Sequence, residues 1–342
     1  MSRPSPLITP MIVAIAMLAS RALGPMAAGP AIAVSGTQLA LDGQETFLPG
    51  VSLFDGLGAT PPRDEDLNAL RQWGVKVVRV WAHWSAPIYD RDGSLSAAGR
   101  TRLAALIGRL RSRGLVLELV LLRPGQLPGQ KYAVFASPEA RIRAVTSIAH
   151  ALIDDRDVIF DLFNEHDHPD GPISHADARR LRDAVKTVDP KRLVTISSTA
   201  THVIAPAGTV GPGEERNIRE EAGRGPGDVA VDILAPHLPR TQDWAATTAS
   251  RIATLRTVLD RAGSPMPIYL SEENRTFPGR AIAPDLYLRA ATGARAARAA
   301  GWMFHTDAGF ALGARSFLTA LAPNERAALE QLSDKIRAIH PQ

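Results

Sequence analysis

Short apolar runs alternate along this chain with amphipathic stretches of helical period. The runs cover 47–53, 75–81, 115–122, 158–163, 193–197, 229–235, 267–270 and 301–305. Several are rich in Val and Ile without a polar alternation, the pattern of parallel strands buried on both faces. Helical stretches lie between them at 63–73, 97–113, 138–153, 175–187, 241–261 and 284–300, and 324–339 closes the chain. Gly74 and Gly114 each follow a helical stretch and precede a run. Glycine there accepts the left-handed conformation that ends a helix. Ahead of the first run, 32–50 reads as short alternating strands with an Asp42-Gly43 turn. The segment 205–227 is rich in Gly, Pro and charge and reads as a long loop with one helical turn at 214–221. The pattern predicts a (β/α)8 TIM barrel with a short N-terminal β-hairpin, folded as one domain over 29–342. A doubly wound open sheet is the other architecture this alternation allows. It is disfavoured because no Gly-rich phosphate loop follows the first run.

Composition narrows the function classes. The 342 residues carry a formal net charge of only +4, with Arg interleaved among Asp and Glu. No block of like charge asks for nucleic acid. There are no cysteines, which excludes disulfides, thiolate metal sites and Cys nucleophiles. Residues 1–28 have the layout of a secretory signal peptide: Arg3, an uncharged apolar run over 6–20, then small residues through Ala28. Fifteen uncharged residues are short for a bilayer span, which needs about 20. The expectation is cleavage near Ala28, with Ala31-Ile32-Ala33 a competing site. The product is then secreted or periplasmic, with no stable membrane association after cleavage.

In a barrel, chemistry sits where strands end and the following loops begin. The fourth run ends Phe163-Asn164-Glu165, and the seventh ends Leu270-Ser271-Glu272-Glu273. Two strand-tip carboxylates suit glycoside hydrolysis, where one donates a proton and the other attacks or activates water. Each candidate has a plainer reading. Glu165 is also what a helix N-terminus favours, and Glu273 competes with Glu272. Arg79 in the second run also suits a structural salt bridge, and His237 after the sixth also suits a buried, satisfied imidazole. Trp81, Trp84 and Trp302 could stack on sugar or fill core. Trp84 lies beyond its run, so it is the stacking candidate, while Trp302 sits inside one. His166 and His168 have metal-ligand spacing but sit in a loop next to Glu165, so no metal and no organic cofactor is expected.

Asn164-Glu165 and Glu272 resemble the signature of glycoside hydrolase clan A, and the chain is most similar to family 5, the cellulase and β-mannanase family. Supporting motifs are Gly50-Val51-Ser52 in the first run, Arg79 in the second, and Asp232 to His237 around the sixth. The resemblance implies a general acid/base role for Glu165 and a nucleophilic role for Glu272. It also implies that Asn164 bonds the sugar 2-hydroxyl, Arg79 orients the nucleophile, and His237 lines the site, with His305 near the sugar platform. Three positions depart from the family. Pro239 stands where a Tyr is usual, Leu122-Arg123 where the third strand often ends in His, and Phe304-His305 where a Trp usually closes the eighth. The implied activity is retaining hydrolysis of β-linked glycan or glycoconjugate. Two other functions fit the same pattern: a non-catalytic carbohydrate-binding barrel, and a metal-dependent hydrolase using His166, His168, His237 and an acid.

Overall fold

A computed structural model describes residues 29–199, 212–276 and 281–339. The expected signal peptide, and residues 205–211 of the long loop, lie outside the described residues.

The chain opens with a small antiparallel sheet: β1 (Ile32–Ser35), β2 (Gln38–Leu41) and β3 (Gln44–Glu45). Asp42 and Gly43 both adopt positive φ, at 51° and 79°, and make the turn between β2 and β3. The barrel follows. Its strands are β4 (Leu48–Ser52), β5 (Val77–Trp81), β6 (Val116–Val120), β7 (Val158–Asp161), β8 (Val194–Thr195), β9 (Ser197–Ser198), β10 (Ala235–Pro236), β11 (Tyr269–Leu270) and β12 (Gly301–Phe304). Seven of them form one sheet in the order β11-β12-β4-β5-β6-β7-β8. β9 continues from β8 after Ile196 and pairs in parallel with β10, and a parallel bridge joins Leu234 to Ile268. These pairings close the ring, so each predicted run supplies one barrel position.

Helices α1 (Asp64–Gln72), α2 (Ala97–Arg111), α3 (Pro138–Ala151), α4 (His175–Val188), α5 (Pro212–Ala222), α6 (Trp244–Arg261), α7 (Pro284–Ala296), α8 (Phe317–Ala320) and α9 (Pro323–Arg337) surround it. Their starts are written in the sequence. Ser96, Ser137 and Ser174 each accept a bond from the backbone N–H three residues on, which satisfies one free donor of the first turn. Gly74 and Gly114 have φ of 85° and 66°, as the helix-ending pattern requires. The loop after the fifth strand holds more helix than predicted: α5 runs three turns, not one.

Inside the barrel the side chains stack in layers. Leu48, Val77, Val116, Ile159, Tyr269 and Met303 form an apolar floor, and Ile32 and Leu39 of the hairpin pack beneath it. The alternate residues Val78, Val80, Leu117, Leu119 and Phe160 face the helices in the main core. Two residues along from the floor come Arg79, Glu118 and Asp161, all fully buried. The period-two alternation missing from the outer pattern is therefore present inside, as a polar layer above an apolar one. Above it Phe54, Trp81 and Val120 form a small apolar cluster at the C-terminal mouth.

Candidate active site

The polar layer is organised around one guanidinium. Arg79 Nε bonds Glu118 at 2.9 Å, and Nη2 bonds Asp161 at 2.7 Å and the Asn164 amide oxygen at 2.8 Å. Nη1 reaches Glu272 at 3.3 Å. Burial opposes the charge of Arg79, but Glu118, Asp161 and Glu272 outweigh it and raise its pKa. Burial pushes Glu118 up to about 8 against the pull of Arg79. One carboxyl of the three therefore holds a proton at neutral pH, which leaves fewer buried charges to balance.

Glu272 sits at the top of this layer. Arg240 Nη2 bonds its Oε1 at 2.5 Å, His305 Nε2 lies 3.4 Å from that oxygen, and His237 Nδ1 lies 3.9 Å from Oε2. Burial alone would raise this carboxyl. The facing His305 and His237 rings, with Arg240 and Arg79, more than offset it and hold Glu272 well below the usual carboxylate range. Burial also drives the His305 pKa well down, whereas Arg240 and Arg79 keep their charge throughout. Glu272 is anionic at neutral pH.

Glu165 arrives from the next loop. Its φ is +51°, a conformation uncommon outside glycine, and its N–H is held by Ser197 Oγ at 3.1 Å. Ser197 is fixed in turn by Asp161 at 2.9 Å. His237 Nδ1 lies 3.1 Å from Glu165 Oε1. One donor atom each from Glu165, His237 and Glu272 all fall within 4.8 Å of one another.

A cleft of about 240 Å³ opens over this pair. Trp84, Tyr132 and Phe310 form its apolar walls, with Arg123 among them. Trp84 is anchored through its N–H to the Phe310 carbonyl at 2.9 Å. The Arg123 guanidinium lies 3.9 Å above the Tyr132 ring and 5.4 Å from that of Trp84. No carboxylate among the described residues pairs with it, and the remaining segments contain no Asp or Glu.

The structure therefore brings Glu165, Glu272, Asn164 and Trp84 to one cleft, with His237 buried beside Glu165. Arg79 and His305 are completely buried and stand behind Glu272, where they bond protein partners and have no face toward substrate. For Arg79 this is the place from which a nucleophile would be oriented, whereas His305 does not reach a sugar platform. Trp81 stacks on Phe54 at 3.8 Å, and Trp302 is core. Glu273 points away from the cleft toward Arg251, and burial pushes it up to about 8. His166 and His168, whose spacing also suits a metal, part company: His166 bonds Glu221, and His168 lies at the cleft edge. Sequence reasoning missed Arg240, Glu118, Asp161 and Ser197. A signal for Arg240 existed, since it is a cation three residues beyond His237 at a strand end.

The family model described as Cellulase (glycosyl hydrolase family 5) matches residues 39–253. The chain belongs to glycosyl hydrolase family 5. Similar solved structures include a β-mannanase from the blue mussel Mytilus edulis, at 16% identity, TM-score 0.61, with 92% of this chain and 99% of that one covered. A broad-specificity endoglucanase from an uncultured bacterium aligns at 13% identity and TM-score 0.61, covering 85% of this chain and 94% of that one. A family 5 enzyme from Prevotella bryantii aligns at 15% identity and TM-score 0.59, covering 85% and 96%. No curated protein sequence matches the chain. At these identities the structural likeness carries the barrel fold, and the family model carries the activity class: this family 5 chain is a glycoside hydrolase.

Of the two side-chain groups among the described residues that could hold a metal, Glu165–His237–Glu272 contains the two facing carboxylates of the cleft. Two guanidiniums already compensate Glu272, which disfavours a further cation there. The second, His166–His175–Glu221, lies outside the cleft.

Proposed function

We propose that this enzyme is an exported, retaining glycoside hydrolase acting on β-linked glycan that carries acidic groups. Glu165 is its acid/base and Glu272 its nucleophile. The observation that carries the mechanism is the approach of Glu165 and Glu272 oxygens to within 4.8 Å. Carboxyl groups about 5 Å apart leave no room for an intervening water, so one attacks the sugar directly. Glu272, ionised and held by Arg79 and Arg240, forms a bond to the anomeric carbon as Glu165 protonates the departing oxygen. Glu165 then takes a proton from water, which displaces Glu272 and restores both groups. Asn164, fixed by Arg79 beside this bond, is positioned for the 2-hydroxyl.

The acidic substrate class rests on Arg123. A half-buried guanidinium with no carboxylate partner is under-compensated, and a uronate or other anion on the glycan would supply the missing bidentate partner. Export rests on the layout of residues 1–28.

The test is a panel of neutral and uronate-bearing β-glycans assayed with wild type, Glu165→Ala, Glu272→Gln and Arg123→Ala. Either Glu variant should lose about 10³-fold or more, and proton NMR should show the product anomer matching the substrate. Arg123→Ala should lose activity on acidic glycans selectively. Inverted product would sink the mechanism, and equal loss on neutral and acidic glycans would remove the substrate class alone.

A further inference from the structure

Immediately after Glu165 the chain turns away from the cleft, and His166 enters a buried pocket beneath α5. His166 is 3% exposed, and its Nε2 lies 2.8 Å from Glu221 Oε1, itself on a residue 1% exposed. His175, the first residue of α4, packs its ring 5.1 Å from that of His166. One donor atom each from His166, His175 and Glu221 fits within 4.8 Å. Glu214 is 2% exposed on the same helix as Glu221, in electrostatic contact with Glu221 and His166.

Two atoms here are buried without a hydrogen-bond partner among the described residues: His175 Nε2 and Glu214 Oε2. The first has a specific geometry. Glu220 Oε2 holds His175 Nδ1 at 2.6 Å, which fixes the ring and leaves Nε2 with its lone pair as the free donor. A carboxylate behind one imidazole nitrogen and nothing on the other is how proteins present histidine to a metal. The second is an acid oxygen removed from water with nothing to bond, a costly arrangement. Glu220, Glu221 and Glu214 crowd round two imidazoles, and a cation would supply a partner to the two atoms that lack one.

We propose that His166, His175, Glu221 and Glu214 bind one divalent ion of the zinc class. Two imidazole nitrogens with carboxylate oxygens suit zinc and its neighbours in the transition series, whereas calcium and magnesium take all-oxygen shells. The ion would tie together three separate parts of the C-terminal face: the loop that carries Glu165, the start of α4, and α5. Its role is to hold the acid/base loop in place, with no part in bond cleavage.

The experiment uses the full chain, freed of any tag, stripped with chelator and titrated with Zn²⁺. One ion per chain is expected by elemental analysis, with a rise in Tm as the native state is selectively bound. His175→Ala and Glu221→Gln should each weaken zinc affinity at least tenfold, while the exposed His150→Ala, on α3, should leave it unchanged. Failure of wild type to bind or to gain Tm overturns the proposal. So does binding that survives both variants, or that is lost only in Glu272→Gln, which would place the ion on the catalytic pair. If the pocket variants do not fold, anomalous scattering at the zinc edge from wild-type crystals decides. A peak among the four named residues supports the site, and a peak elsewhere overturns it. None of these readouts depends on glycosidase activity.

Discussion

Arg240 shows how one side chain can replace another of different chemistry. The family's usual Tyr position is Pro239 here, and the next residue supplies the contact to Glu272 instead, at 2.5 Å. A phenol donates one neutral hydrogen bond, whereas a guanidinium adds a full charge and lowers the carboxyl pKa. Arg240→Ala should therefore raise the Glu272 pKa. The carboxylate must be ionised to attack, so the acid limb of the kcat/KM profile should move to higher pH. Loss of a charge-assisted bond, worth about 1.5–3 kcal/mol, predicts roughly a 10- to 100-fold fall at the optimum. Arg240→Lys should recover part of both. A profile that falls in height without moving its acid limb would mean that Arg240 acts on substrate and not on Glu272. At this scale the sequence revealed Glu165, Glu272 and Asn164, because each ends an apolar run and strand tips are where a barrel keeps its chemistry. The hydrophobic pattern left the direction of Arg79 open, since inward and outward positions of β5 are equally apolar around it, and only the family resemblance pointed it toward Glu272. Arg240 and Arg123 lie on loops, where no period says which side chain turns inward.

Among the elements, the strands and main helices were legible because burial imposes a period, and capping Ser and terminal Gly residues mark the ends. The polar layer of Arg79, Glu118 and Asp161 was hidden, because three isolated polar residues on three strands become a layer only when register brings them together. Gly99 is a similar case within α2. By helix propensity alone, Gly to Ala in a helix gains about 1 kcal/mol. Here a Cβ at residue 99 would stand 2.3 Å from the Ile88 carbonyl oxygen, a backbone atom that cannot swing aside. Gly99 thus lets α2 approach the loop leading from β5. Gly99→Ala should lower stability by about 1–3 kcal/mol, the usual cost of overpacking, while Ala98→Gly beside it should cost about 1 kcal/mol or less. Urea midpoints of the two variants measure the difference, and a stabilised Gly99→Ala would show that the close approach is not needed. The hairpin bears on export in the same way. Ile32 is buried under the barrel floor, so cleavage after Ala33 would remove a packed residue, whereas cleavage near Ala28 would spare β1.

Over the whole molecule, the buried ionisable groups set how stability depends on pH. Burial raises Glu118, Glu214 and Glu273 to about 8 each. Unfolded, each would lose its proton near pH 4.5, so between about 4.5 and 8 the folded chain holds three protons that the unfolded chain does not. Stability falls with rising pH wherever the folded state binds more protons. Histidine works the other way at lower pH. Burial drives His83 down to about 3 and His305 well below its usual value, so both stay neutral when folded and take up protons when unfolded below about 6.5. His175 is lowered too, by burial first. From about 4.5 to 6.5 these histidines therefore oppose the three carboxyls, and the dependence is shallow. Above about 6.5 the unfolded histidines are already neutral and no longer oppose the carboxyls. His166 adds to them, since its pairing with Glu221 overcomes burial and raises its pKa, a contribution lost as pH rises through that value. Each unmatched proton is worth about 1.4 kcal/mol per pH unit, so Tm should drop by several degrees from pH 6.5 to pH 8 and change little from pH 6.5 down to 5. The chelator-stripped chain is the one to melt, because an ion on His166 and Glu221 would displace their protons. Glu273→Gln keeps the buried shape without the titration and should flatten the alkaline slope by about a quarter to a third, which separates a buried-carboxyl origin from general alkaline loss of surface ion pairs.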